Sequence, residues 1–463
     1  MNFLDTINNF LWTYVIIGLL IGCALYFTIK TKAVQFGMLR EMGRIMLGRD
    51  RKEINEETGG LGSFQAFAIS LGSRVGTGNL AGVASAIFVG GPGAVFWMWV
   101  MALFGASTAF VESTLAQLYK RKGSQGYYGG PAYYMETGLG KRWMGIVFSV
   151  LMVLTFALAN NILQSNTIID SLNSTFGWDK LTVGIILTIS VVAIVIGGVV
   201  RISRVVSYMV PFMALGYVIL AIVVCSIYIT RLPDVFSTIF CSAFGIRQMG
   251  GGMVGAAIMQ GVRRGLFSNE AGEGSAPNAA AIADTSHPVK QGLVQALGVF
   301  IDTLVICSCT AIIIILSGEY TGEADGIVLT LNSLEALMGS AAKYFVTAAI
   351  LLFAFSTILA NCYYGETNIR FFTHKKWVMW IYWAFIGLCV IYGAIGTLDT
   401  AWALVDICMG LLTLCNLVAI AMLSKYVFRL LDDYRRQKKA GIKEPVFKSS
   451  TMPEISKDIK VWE

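Results

Sequence analysis

The chain has 463 residues, 56% of them hydrophobic and only 14% charged, with a mean hydropathy of +0.67. Soluble domains carry about a quarter charged residues, so the composition indicates an integral membrane protein with room for ten or more spans of roughly 20 residues each. The formal net charge of +7 is no nucleic-acid signature, because Lys and Arg cluster in particular loops, and nine scattered cysteines with two histidines exclude a His-rich metal centre and give no disulfide framework.

Residues 1–11 hold Asp5 but no Lys or Arg, and without a basic n-region or small-residue cleavage site they do not read as a removable signal peptide. Trp12 to Ile29 reads as a first membrane helix, followed by Lys30, Lys32, Arg40, Arg44, Arg49, Arg51 and Lys52. The positive-inside rule places the N-terminus outside. Within the cytoplasmic linker 30–62, Met38, Leu39, Met42, Ile45 and Met46 share one helical face and Arg40, Glu41 and Arg44 the other. That pattern predicts a short interfacial helix, with a solvated linker as the alternative.

Apolar segments predict further spans near 63–86, 92–118, 143–169, 181–200, 205–229, 249–284 (broken), 291–317, 343–365, 378–396 and 402–424. With 12–29 they make an all-α integral membrane protein of eleven transmembrane helices. Alternation from an outside N-terminus puts Lys120, Arg121, Lys122, Lys141, Arg142, Arg201, Arg204, His287, Lys290, Arg370, Lys375 and Lys376 in cytoplasmic loops. The outer loops receive Asp170, Asp179, Asp234, Glu319, Glu323, Asp325, Glu335 and Asp399, with Lys180, Arg231, Arg247 and Lys343 as the basic exceptions. The tail 425–463, with Arg435, Arg436, Lys438 and Lys439 near the last span, is expected to be cytoplasmic, to rest near anionic lipid and to be partly disordered.

Two segments are written wrongly for smooth membrane helices. Leu71 to Ala86, LGSRVGTGNLAGVASA, carries an arginine, an asparagine and four glycines. Gly261 to Ala283, GVRRGLFSNEAGEGSAPNAAAIA, carries Arg263, Arg264, Glu270, Glu273 and Pro277. Glycine weakens a helix interior, polar backbone opened in hydrocarbon must find partners, and intramembrane charges mark pathways or paired sites. Two Gly-interrupted segments, each opening a block of five spans, point to an inverted-repeat secondary transporter, with blocks 63–229 and 249–424 and helix 12–29 outside them. Close helix packing is the alternative for such glycines. It suits Gly82, Gly105 and Gly138; the polar side chains beside 76–79 and 267–272 favour a site there.

The stretches GTGNLAGVASAIFVGGPGAVFWMW (Gly76 to Trp99), NNILQSN (Asn160 to Asn166), RRGLFSNEAGEGSAP (Arg263 to Pro277) and FAFSTIL followed by YYGE (Phe353 to Glu366) resemble the alanine-or-glycine:cation symporter family. The resemblance runs over nearly the whole chain up to the tail. It implies a LeuT-like 5+5 inverted repeat preceded by one extra helix, sodium- or proton-coupled uptake of a small neutral amino acid, no cofactor beyond the coupling ion, and no enzymatic activity. Within those motifs, the helix beginning near Asn79 offers amides and a positive dipole end to a substrate carboxylate. Carbonyls of Gly76 and Thr77 and of Phe267, Ser268 and Asn269 can accept from the ammonium, and Gly78 belongs to the same substrate-binding break. Asn79 and Asn269 also fit as caps of the broken helices, and Phe267 is expected to pack against the substrate side chain, with ordinary core as the alternative.

Ser356 and Thr357 place adjacent hydroxyls in an apolar span, where bonding back to the preceding turn is their ordinary role. The resemblance implies that they join backbone carbonyls at Arg74 and Gly76 in a sodium site, and that Gln164 faces the substrate. Two departures from the family pattern stand out. Asn361 occupies a place where members usually carry Trp, and Asn160-Asn161 replaces Gly-Asn. The added donor and acceptor predict a larger or more polar substrate than alanine, such as glutamine or asparagine. Arg263, Arg264, Glu270, Glu273 and Glu366 are expected to pair in an internal gating network or to carry a proton, and Asp302 and Glu112 are candidates for a second cation site. Proton-coupled symport and ion-independent exchange are the alternative functions.

Overall fold

The computed structural model describes residues 8, 10–47, 61–123, 126–245 and 251–462. Asp5, the basic residues Arg49, Arg51 and Lys52, and Arg247 lie outside the described residues. With no water to satisfy open backbone, an apolar chain of this length closes its amides on itself in helices. The described residues are mostly helical.

In chain order these are α1 (Leu11–Lys30), the short α2 (Leu39–Met46), α3 (Ser63–Arg74), α4 (Gly78–Gly90), α5 (Gly93–Leu118), a hairpin of β1 (Arg121–Gly123) and β2 (Gly126–Tyr128), and α6 (Pro131–Thr137). They continue as α7 (Arg142–Phe176), α8 (Lys180–Val195), α9 (Gly198–Ile227), α10 (Leu232–Ala243), α11 (Gly251–Asn269) and α12 (Ala276–Ala280). The last are α13 (Pro288–Ser317), α14 (Gly326–Met338), α15 (Ser340–Phe372), α16 (Lys376–Tyr392) and α17 (Leu398–Lys439). Among the described residues, seven helices are long and apolar enough to cross a membrane, and α4, α8, α14 and α16 are shorter apolar helices. Helices α10 and α14 fall where hydropathy predicts loop, because acidic residues punctuate both stretches.

Two groupings emerge from the packing. Helix α5 runs along α11 and α13, while α15 packs on α7 and α9, and α3 touches both groups. Small residues allow the first group to close up: a methyl on Gly292 would meet Thr114 and Phe110, and one on Gly261 would meet the Ala94 carbonyl and Trp97. Of α15's apolar window 72% is buried, against 28% of α9's, so α15 is a central helix and α9 a peripheral one turned toward lipid.

Among the described residues, four helices widen into π-turns, at Leu11–Ile16, Gly78–Gly82, Val153–Asn160 and Phe300–Cys307. Such turns free or re-aim polar groups and recur at functional sites. Three of the four carry residues used below: Asn79, Asn160 and Asp302.

A short helix forms at Leu39–Met46, with Met42 and Ile45 buried against protein. Its Glu41 takes hydrogen bonds from Arg44 (2.8 Å) and from the Tyr434 hydroxyl (2.6 Å). The tail differs from the expected partly disordered segment. Helix α17 continues to Lys439, and the chain beyond folds back with Phe447, Met452, Ile455, Ile459 and Trp462 buried. The Trp462 indole N–H donates to the carbonyls of Gln117 (3.1 Å) and Leu118 (3.2 Å), Lys120 Nζ sits 4.5 Å from its ring, and the Phe447 amide donates to Ser286 (2.9 Å). The lysines that suggest a solvated tail hide an apolar stripe that needs a surface. Losing a buried Trp costs about 3–5 kcal/mol, so Trp462→Ala is expected to lower the thermal unfolding midpoint of the purified protein; an unchanged midpoint would mean the tail is only loosely attached.

Candidate functional site

Helix α3 ends at Val75, whose ψ of 83° leaves the helical region, and the chain restarts as α4 at Gly78. Asn79 closes the gap: its Oδ1 accepts from the Gly76 amide (2.9 Å), while its Nδ2 donates to Asp302 Oδ1 (2.6 Å). Thr77 gives both its amide (2.9 Å) and its hydroxyl (2.7 Å) to Gln164 Oε1, and Gln164 Nε2 donates to Asn160 Oδ1 (2.8 Å). Gly76 has to be glycine here, since a methyl would collide with Thr357 Oγ1 and Gln164 Oε1.

The second break spans residues 270–275. Glu270 is held at φ +56°, with Gly272 at +99° and Gly274 at +84°, a left-handed path that is costly for a side-chain-bearing residue. Glu112 from α5 secures it, accepting from the amides of Gly272 (3.2 Å) and Gly274 (3.1 Å), and Asn416 of α17 donates to Glu112 Oε2 (2.8 Å) and to the Gly272 carbonyl (2.9 Å). Asn269 caps locally: its Oδ1 accepts from the Ala271 amide (3.1 Å) and its Nδ2 donates to Thr303 (3.2 Å). Both asparagines thus serve as caps, because opened backbone inside a membrane protein takes the nearest partner. Asp302 also receives the hydroxyls of Ser268 (2.6 Å) and Thr303 (2.9 Å). Asp302 and Glu112, candidates for a cation site in the sequence, are both engaged by protein donors.

The two breaks adjoin. A methyl on Gly78 would lie 3.0 Å from the Phe267 ring and 3.2 Å from Ser268 Cα. Beside them, the Thr357 hydroxyl lies 2.8 Å from the Gly72 carbonyl, 3.5 Å from that of Val75 and 3.1 Å from that of Phe353. The Ser356 hydroxyl is 2.9 Å from the Phe353 carbonyl and 3.4 Å from Gly72 O. Five neutral oxygens therefore converge between α3 and α15. The carbonyls are those of Gly72 and Val75 rather than the expected Arg74 and Gly76. Arg74 O is taken by the Gly76 amide (3.0 Å) and Gly76 O by the Asn79 amide (3.3 Å).

Asn361 is fully buried and doubly used. Its Nδ2 donates to Asn161 Oδ1 (3.1 Å), and its Oδ1 is 3.2 Å from the Ser73 hydroxyl, which in turn lies 2.5 Å from Glu270 Oε1. A second hydroxyl, Ser275, donates to Glu270 Oε2 (2.5 Å).

The expected network of Arg263, Arg264, Glu270, Glu273 and Glu366 is not formed. Arg263 (3.2 Å) and Arg264 (3.0 Å) both pair with Asp406 of α17, Glu366 pairs with Arg370 one turn on (2.8 Å), and Glu270 serves Ser73 and Ser275. Helix direction explains this: Arg263 and Arg264 sit two turns before the break, too far along α11 to fold back on it. Phe267 stacks edge-on against Trp402 at 4.9 Å, and Arg264 lies 3.8 Å over the same indole. Arg74 is buried, with Nη1 donating to the Gln295 carbonyl (3.2 Å). Asp406 and Asn416 escaped the sequence reading, although a lone acid and a lone amide inside the last apolar span were the available signals. Removing one member of a buried ion pair leaves an uncompensated charge costing about 3–5 kcal/mol. Asp406→Asn, which strands two guanidinium groups, is expected to unfold at a clearly lower temperature than Asp406→Asn combined with Arg263→Gln and Arg264→Gln; equal midpoints would show that stranded charge is not what destabilises the single variant.

The sodium:alanine symporter family model matches residues 1–449. The probable sodium/glutamine symporter GlnT of Bacillus subtilis is 49% identical, over 95% of this chain and 91% of its own length. The amino-acid carrier protein AlsT of the same organism is 46% identical (98% and 96% covered), and the sodium/alanine symporter AgcS of Methanococcus maripaludis 36% identical (92% and 95%). Among solved structures, a Na+-coupled sialic acid symporter in a substrate-bound outward-open state superposes with a TM-score of 0.54 at 14% identity, covering 85% of this chain and 87% of that one; it shares the fold.

Proposed function

The chain belongs to the sodium:alanine symporter family, and we infer that it is a sodium-coupled symporter importing a small neutral amino acid by alternating access. The reading adopts eleven spans in a 5+5 inverted repeat after α1, with the N-terminus outside and the tail in the cytoplasm of a cell-membrane transporter. Two discontinuous helices, α3–α4 and α11–α12, meet at its centre, where transporters of this kind place their ligands.

The observation that carries the sodium assignment is Thr357, whose hydroxyl meets the carbonyls of Gly72 and Phe353 within 3.1 Å. Neutral oxygens at a helix break suit a monovalent hard cation. Moving one charge inward is worth about 2.3 kcal/mol per 100 mV, and a tenfold sodium gradient about 1.4 kcal/mol more. Together they sustain a solute gradient of roughly several hundredfold per sodium. Substrate carboxylate belongs at the N-terminal end of α4 and its ammonium on carbonyls at Gly76, Thr77 and Phe267–Asn269. Phe267 on Trp402, clamped by Arg263, Arg264 and Asp406, forms the outer lid.

Glutamine or asparagine is the proposed substrate. Asn361 Nδ2 donates to Asn161 Oδ1 at 3.1 Å, an amide–amide bond of the kind a substrate side-chain amide would make in its place, and the relative at 49% identity is named for glutamine.

Proteoliposomes given a sodium gradient, a proton gradient or neither, across a panel of labelled amino acids, test the reading. Uptake should follow sodium alone; uptake that ignores sodium overturns it. A hydrogen-bonding group facing a charge is worth about 1.5–3 kcal/mol, so Thr357→Ala should raise the half-saturating sodium concentration roughly ten- to hundredfold. Asn361→Trp should shift preference from glutamine toward alanine, and an unchanged competition profile would mean that Asn361 does not set specificity.

A further inference from the structure

A cavity of about 660 Å³ opens at the end of the molecule that the loop charges place in the cytoplasm, walled by the hairpin, the turn between α8 and α9, the end of α15 and the start of α16. It is separate from the central site. Arg370, one of its lining residues, lies about two and a half helical turns beyond Asn361, on the opposite face of α15.

Its walls carry both signs of charge. The Glu366 side chain is only 7% exposed and spends Oε1 alone on Arg370; its Oε2 has no partner among the described residues. Arg370 and Lys376 are exposed at the mouth. Aromatic rings complete the wall: Trp380 and Trp383 meet edge to face at 5.2 Å, the Trp383 indole N–H is buried without a partner among the described residues, and Tyr128 lines the far side. A carboxylate with a free oxygen beside indole faces receives an ammonium, and guanidinium with ammonium groups outside it receive a phosphate. The cavity also runs outward to Trp380 (59% exposed) and Ile196 (43%), apolar surface on membrane helices where acyl chains lie.

We propose that this cavity binds the headgroup of an aminophospholipid of the inner leaflet, the ethanolamine ammonium on Glu366 within the Trp380–Trp383 wall and the phosphate on Arg370 and Lys376. The presence of both charge signs in one cavity suits a zwitterion, and the apolar exit suits a lipid over a soluble molecule. Basic pockets between helices at the cytoplasmic side are established lipid-headgroup sites in membrane proteins generally; here the added carboxylate reads the amine.

The test uses the purified full-length chain, delipidated and then titrated with phosphatidylethanolamine, phosphatidylcholine or phosphatidylglycerol, or with phosphoethanolamine or glutamine alone. Thermal midpoint and native mass spectrometry of bound lipid are the readouts. Phosphatidylethanolamine should bind at least tenfold more tightly than the other two lipids, and Glu366→Gln should abolish that preference. Lys376→Gln, at an exposed position that leaves folding intact, should weaken binding of phosphatidylethanolamine and phosphatidylglycerol alike. Equal binding of the three lipids by the unaltered chain overturns the proposal, as does a preference that survives Glu366→Gln. Protection by phosphoethanolamine or glutamine without any by the lipid assigns a soluble ligand and overturns the lipid source.

Discussion

One carboxylate ties the centre of this molecule together. Asp302, on a π-turn of α13, takes the amide of Asn79 at the first break and the hydroxyl of Ser268 at the second. Each break alone is a defect in a membrane helix, with amides and carbonyls released into a medium that offers them nothing. Sharing one acceptor makes the two defects a single structure. The arrangement also fixes which side chains remain for a ligand. Asn79 and Asn269 are consumed in closing backbone; in the proposed symporter, recognition of an amino acid falls to main-chain groups and to the layer formed by Thr77, Gln164, Ser73 and Asn361, whose present hydrogen bonds within the protein it would replace.

The breaks themselves were legible in the sequence, because glycines mixed with polar residues inside an apolar run suit neither contact with lipid nor a continuous helix. The hydroxyls of Ser356 and Thr357 bond back to the Phe353 carbonyl as their residue types led one to expect, whereas their place against the first break was implied by the family resemblance alone. Their carbonyl partners there shifted to Gly72 and Val75 because the carbonyls of Arg74 and Gly76 close the turn, and only the local backbone path decides that. Pairing of the charges was not legible. Arg263 and Arg264 stand near Glu270 and Glu273 in sequence, yet a helix carries them away from the break and toward Asp406, which is distant in the chain. The ordered tail was hidden for a related reason: Phe447, Met452, Ile455, Ile459 and Trp462 are spaced irregularly among charges, so no periodicity announces the surface they cover.

Conflicting demands meet at the second break. Glu270 accepts a left-handed backbone that glycine would adopt freely, and it does so while its carboxylate gathers Ser73 and Ser275. The strain is held from outside by Glu112 and Asn416, and Tyr134 donates to the same Asn416. A residue kept in a costly conformation by three separate helices is a place where geometry has priority over local stability.

Alternating access sorts the remaining contacts by the group of helices they join. At one end, Arg263 and Arg264 hold α11 to α17 through Asp406, and Phe267 stacks on Trp402. At the other, the Tyr363 hydroxyl donates to the Asn278 carbonyl (3.2 Å) and Asn368 Nδ2 to Asn278 Oδ1 (3.1 Å), holding α12 to α15, while Trp462 fastens the tail to α5. In the proposed orientation, opening outward requires the first set to part while the second persists, and opening inward requires the reverse. The first set is a buried ion cluster whose separation must be repaid by hydration or by new partners, whereas the second is neutral amides and hydroxyls that exchange readily for water. The Thr357 cluster lies between them, bridging α3 and α15. In the proposed symport cycle, a cation shared by those oxygens would add a bond between the two helix groups, so its arrival and departure would bias the same equilibrium that the two sets of contacts define.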